Sequence, residues 1–143
     1  MANQAKSTES GSMLRKISSP IFLLTGVAIG LGAFGHDSNA IKIANAFAGS
    51  PDLDAKTVSI VLAVWHFCSG CMLVFGALCV RTWWRARDGR ADFLTTDLIA
   101  VLYVLSGALT IGYTGLAFFW VFVGLGLSLL ISSLALRPRR VPT

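Results

Sequence analysis

The side chains of this chain that could do chemistry are few, and most lie in or beside one apolar run. Trp65-His66-Phe67-Cys68-Ser69-Gly70-Cys71 falls within SIVLAVWHFCSGCMLVFGALCV, and no charged residue stands between Lys56 and Arg81. A histidine so placed needs a partner or a task, because a polar ring left unpaired in apolar surroundings is costly. It can stay neutral and bond to a neighbouring hydroxyl or carbonyl, ligate a haem iron, or carry a proton. On a helical wheel Ser59, Leu62, Ala63, Ser69, Gly70, Leu73 and Ala77 share its side, and most of them are small. That composition predicts an inward face, set against a pocket or a close neighbour, with Trp65 as a lining residue.

His36, the only other histidine, follows Gly35 and precedes Asp37. A carboxylate beside a ligand histidine can orient its ring. His36 and His66 are therefore the pair to weigh as axial ligands of haem b, and His66 with Trp65 as a quinone-binding pair. Depth works against the haem. Drawn on two spans from their outer ends, His66 lies about 10 Å deeper than His36 at the helical rise.

The CxxC string suggests redox or metal chemistry, but its setting does not. Cys68 and Cys71 are three residues apart and Cys79 returns to the same side of a helix, whereas His66 points roughly the opposite way. The four do not converge on one metal. A redox CxxC works best at a helix N-terminus, where free N–H groups favour the thiolate; apolar burial in mid-helix disfavours it. Three cysteines also cannot form a complete disulfide framework. Asp97, one turn into a later apolar segment, is the remaining candidate. Arg81, Arg85 or Arg90 could reach it by snorkelling, and Thr95 or Thr96 could bond to it. With His66 it would outline an ion or proton path for a small permease. No protease zinc motif, serine-nucleophile elbow or phosphate-binding glycine loop occurs, so an enzyme is not the expected reading.

These residues are carried by long apolar segments. Of 143 residues 55% are hydrophobic and only 13% charged, with a mean hydropathy of +0.70. A soluble domain carries roughly a quarter charged residues. Four segments, about 17–36, 57–81, 93–113 and 115–136, are each long enough to cross a hydrocarbon core of about 30 Å. The expected fold is an all-α integral membrane protein, an up-down bundle of four transmembrane helices over 15–137. A flexible tail over 1–14 and a basic tail over 138–143 flank it. The outer loop, 37–56, spaces Ile41, Ile43 and Phe47 as in a short amphipathic helix. Gly49-Ser50-Pro51 should stop that helix, and Asp52 or Asp54 should cap the next. Pro20 suits the first turn of the first span.

Orientation follows from the basic residues. Ten of the twelve Lys and Arg fall in the two tails and the 81–92 loop, while Lys42 and Lys56 face Asp37, Asp52 and Asp54 on the other side. The positive-inside rule then puts both termini in the cytoplasm of a bacterial inner membrane. Cleavage of the first segment as a signal peptide near Ala44 or Ala46 is the alternative. The net charge of +5 belongs to this pattern, and no nucleic-acid-binding motif accompanies it.

Small residues mark where helices should meet. Gly26 and Gly30 form a GxxxG spacing in the first segment, and Ser106 and Thr110 lie four apart in the third. A bundle this small is expected to pack against the lipid bilayer and against itself or a larger membrane complex, in an accessory or binding role. Electron transfer at His66 and proton-coupled transport through His66 and Asp97 are the alternatives.

Overall fold

The computed structural model describes residues 2–48, 50 and 53–137, with side chains from residue 13 onward. Among the described residues every element is helical: α1 (Ala2–Ser38), α2 (Ala40–Ala48), α3 (Ala55–Arg87), α4 (Leu94–Thr114), a single 3-10 turn (Ala117–Phe119) and α5 (Trp120–Leu136). Four stretches, Met13–Ala48, Ala55–Arg87, Leu94–Thr114 and Ala117–Leu136, are long and apolar enough to cross a membrane. The chain has the make-up of a small multi-pass membrane protein.

Two boundaries differ from those read off the sequence. The first helix begins at Ala2, so the segment expected to be a flexible tail continues it, and Pro20 stands in the helix interior. A proline there leaves the Lys16 carbonyl without its helical donor. Residues 2–16 contain no proline and are rich in good helix formers, so nothing in them stops the helix. The third helix runs through Arg81 and Trp84 to Arg87, leaving 88–93 as the whole connection. It ends where Gly89 takes φ +70°, a conformation that favours glycine. The basic tail 138–143 lies outside the described residues, as do Gly49, Pro51 and Asp52. Asp54, the other expected cap, does cap α3: its Oδ1 accepts from the Thr57 backbone N–H at 2.7 Å.

Neighbouring helices run antiparallel, and glycines set how closely. Along α1 and α3, Gly26 faces Cys79 and Gly30 faces Gly76; a Cβ on Gly76 would stand 2.5 Å from the Gly30 Cα. Along α4 and α5, a Cβ on Gly107 would meet Val123 at 2.8 Å, and one on Gly126 the Ala100 carbonyl at 2.6 Å. The expected Ser106 and Thr110 stripe does not form that seam. Thr110 donates back to the Ser106 carbonyl of its own helix at 2.7 Å, and Ser106 is exposed. The reason is steric, since only glycine lets a backbone atom sit where a side chain would begin.

Across the bundle α1 packs on α3 with one side and on α5 with the other, while α3 and α4 touch little although they are consecutive. The helices therefore sit in the order α3, α1, α5, α4. Phe22, Ile29, Cys79, Phe93, Tyr103, Leu129 and Leu136 make the core between them. Phe22 meets Phe93 edge-on at 6.0 Å. The outcome for α3 is unusual exposure: only 6% of its most apolar window is buried, against 28–33% in the other three spans.

Candidate functional site

The polar residues gather at two levels of the bundle. Arg15 donates from Nη2 to the Leu136 carbonyl at 3.1 Å, and Asp97 pairs with Arg137, so these four lie at one end. Asp37 is 22 residues along α1 from Arg15, about 33 Å at the helical rise, which matches a hydrocarbon core of about 30 Å. The second level lies there, level with the Gly115 turn between α4 and α5.

At that second level α1 and α3 are cross-braced. Asp37 Oδ1 accepts from His66 Nδ1 at 2.6 Å. His36 Nδ1 and Ser69 Oγ are 2.9 Å apart, and Ser69 Oγ is 3.2 Å from the Trp65 carbonyl. With the Ser69 proton given to that carbonyl, His36 Nδ1 is the donor to Ser69. Trp65 completes the knot: its Nε1–H donates to the His36 carbonyl at 2.8 Å, and its ring stacks on the His36 imidazole at 3.9 Å between centroids and 13° between planes. The knot forms because Gly30 opposite Gly76 brings the helices close and sets their register. Asp37 and His66 meet about two to three helical turns beyond.

This placement corrects the expectation for His66. Rather than lying deeper than His36 and facing inward, it sits at the same level, with its side chain 56% exposed and that of Asp37 48%. Its wheel neighbours Ala63, Gly70 and Ala77 are exposed too, and of that set Ser69 is the one buried. The inward stripe of α3 is instead Ser69, Gly76, Cys79 and Thr82. The depth estimate failed because the two helices do not end level, α3 extending past the end of α1. The first helix continues almost directly into α2, and the start of α3 rises beside it, so eleven residues of α3 precede His66 from Ala55.

The geometry bears on each chemistry in turn. His36 and His66 each bridge the α1–α3 seam through Nδ1, an arrangement that fixes both rings while leaving the Nε2 atoms, the usual iron-ligating nitrogens, outside those bonds. For the quinone pair, the Trp65 ring lies stacked on His36. A serine-nucleophile relay fails. The histidine that touches Ser69 has no carboxylate behind it, and the histidine bonded to Asp37 is not bonded to Ser69. Among the described residues no three His, Cys, Asp or Glu side chains converge as a metal site. Cys68 is exposed, Cys71 half-buried and Cys79 buried, and none is paired.

Asp97 stands at the opposite end. Its partners are Arg137, which ends α5, and Ser133, whose Oγ donates at 2.6 Å; they are not Arg81, Arg85 or Arg90. The short α4–α5 connection folds the end of α5 onto the start of α4, ahead of any snorkelling arginine from α3. Phe22, Ile29 and Leu129, all fully buried, lie in the core between the levels of Asp97 and His66. The two residues do not form one polar path.

Protein-family models, curated proteins and solved structures yield no match to this chain. The site thus stands on its own geometry. Sequence reading missed the Asp37–His66 bridge, yet a signal for it was present. Laying the Gly26 and Gly30 pair against Gly76 and Cys79 sets an antiparallel register that carries His36 to Ser69 and Asp37 to within a helical turn of His66.

Proposed function

We propose that this protein is a small multi-pass subunit of a bacterial inner membrane that acts by association, as an oligomer or as part of a larger membrane complex. Both termini lie in the cytoplasm, and the docking element is the outer end of the α1–α3 pair. One observation carries the reading: a braced but open Asp37–His66 bridge on an exposed surface rich in large apolar side chains. Phe34, Ile41, Val64 and Phe67 around it are 65%, 71%, 55% and 71% exposed. A polar group at this position needs compensation from interfacial water or from a partner, and a polar pair ringed by apolar side chains suits specific helix association. The rigid brace holds that surface in one shape, which lowers the entropy lost on binding. Lipid alone would cover the apolar residues but would not require the bridge.

A photo-crosslinking residue at Phe67, activated in native membranes, tests this. We expect a discrete higher-mass product that weakens in His66→Ala, with none from the same probe at Leu109 on α4. A monomer at both positions, matched by a monomeric mass in mild detergent, overturns the proposal.

A further inference from the structure

The first level of the bundle holds an open cleft of about 570 Å³, lined by Arg15, Lys16, Ser19, Trp83 and Arg87, with Pro20 and Leu136 among its apolar lining residues. We propose that it binds the phosphate-ester headgroup of an anionic phospholipid. The inference rests on the reading that the helices cross a membrane and adds a ligand to it.

Three cations from two helices converge on one space of ligand size. Arg15 spends one of its five N–H donors on the Leu136 carbonyl and keeps the others. The Arg87 guanidinium lies over Trp83 and Trp84, at 5.2 and 5.5 Å from the ring centres, so its position is held by two aromatic faces. Trp83 is tied in turn to α1, donating from Nε1 to Ser19 Oγ at 3.0 Å. Ser19, accepting that bond, retains its own proton to donate. Among the described residues no carboxylate pairs with Arg15, Lys16 or Arg87, and neither Asp88 nor Asp92 lines the cleft.

Such a set matches a phosphodiester: cationic donors from two sides, a hydroxyl, and an apolar wall for the glycerol and the first acyl carbons. Its depth fits as well. The cleft lies beside the Trp83-Trp84 and Arg pattern that marks a membrane surface, and basic pockets between transmembrane helices recognise acidic headgroups. Choline or ethanolamine lipids carry a compensating cation that these three basic residues would repel.

The test is native mass spectrometry of the full chain in mild detergent. It is titrated with dioleoyl-phosphatidylglycerol and, separately, with dioleoyl-phosphatidylcholine, which has the same acyl chains. We expect about tenfold tighter retention of phosphatidylglycerol, lost in the double variant Lys16→Gln/Arg87→Gln and kept in Arg81→Gln, at roughly a factor of several per cation removed. Equal retention of the two lipids, or equal loss in Arg81→Gln, overturns the proposal. If the double variant does not fold, the wild-type preference must fall as ionic strength rises, and a salt-independent preference counts against the site. Inorganic phosphate at millimolar concentration separates the sources: if it displaces phosphatidylglycerol completely, the ligand is a soluble phosphate and the lipid assignment fails. Alkaline carbonate extraction keeps the two readings apart. Release of the protein from membranes would defeat the membrane reading, whereas a membrane-retained protein without lipid preference would defeat the headgroup site alone.

Discussion

Asp97 illustrates how a carboxylate inside an apolar helix is kept. Its side chain is only 19% exposed and is held by the Arg137 guanidinium and the buried Ser133 hydroxyl. Hydrogen bonds to charged groups contribute more than neutral ones, and stranding one partner is worse than removing both. Asp97→Ala should therefore destabilise the protein by about 2 kcal/mol and Ser133→Ala by about 1 kcal/mol. The double variant should lose less than the sum, as measured by denaturant titration of the helical signal in micelles. Strict additivity would mean that the two residues do not act together. Asp54 makes a separate, pH-dependent contribution. The Thr57 backbone N–H holds its carboxyl below the usual carboxylate range. Because the folded value is the lower one, the stabilisation is present above the ordinary aspartate range and is lost as pH falls through the lowered value. Amide-exchange protection at the start of α3, taken relative to the intrinsic exchange rate at each pH, should fall on acidification in wild type. In Asp54→Asn, which still caps but does not titrate, that pH dependence should be absent.

At the scale of the helix, seams are made where a glycine meets backbone. Gly76 and Gly70 stand six residues apart on α3 and make a clean contrast. A Cβ on Gly76 would strike the Gly30 backbone, which no rotamer change relieves, whereas one on Gly70 would meet nothing within 4 Å. Gly76→Val should cost about 3 kcal/mol by overpacking and loosen the Asp37–His66 bridge beyond it, while Gly70→Val should be nearly neutral. Thermal denaturation in detergent distinguishes them, and equal effects would show that α1 and α3 do not pack in this register. Much of this level was legible beforehand. Four apolar segments, the Asp54 cap and the Gly26–Gly30 spacing follow from local composition. Helix ends were less legible, because Trp83, Trp84 and Arg85 read as a loop by their charge although nothing in them breaks a helix. The Ser106 and Thr110 stripe misled for a related reason. A hydroxyl can turn back to its own helix as easily as it can face a neighbour.

For the whole molecule, the distribution of Lys and Arg predicts that a reporter fused after residue 137 is active in the cytoplasm and one inserted at residue 50 outside it. An inserted reporter with the opposite sidedness would reverse the proposed orientation and move the basic cleft to the outer face. Hydropathy and charge, which sum along the chain, determined by themselves that the molecule is helical and that four of its helices are long and apolar enough to cross a membrane. The tertiary structure alone decided that α1 sits between α3 and α5, that His66 pairs with Asp37 at a bundle end, and that Asp97 answers to Arg137. It also assembled Arg15, Lys16, Ser19, Trp83 and Arg87 around one cleft from residues up to 72 positions apart. The physical reason is register. A pairing between helices depends on how far one slides and turns against the other, and that is set by contacts such as Gly30 on Gly76, which no property of either segment alone contains.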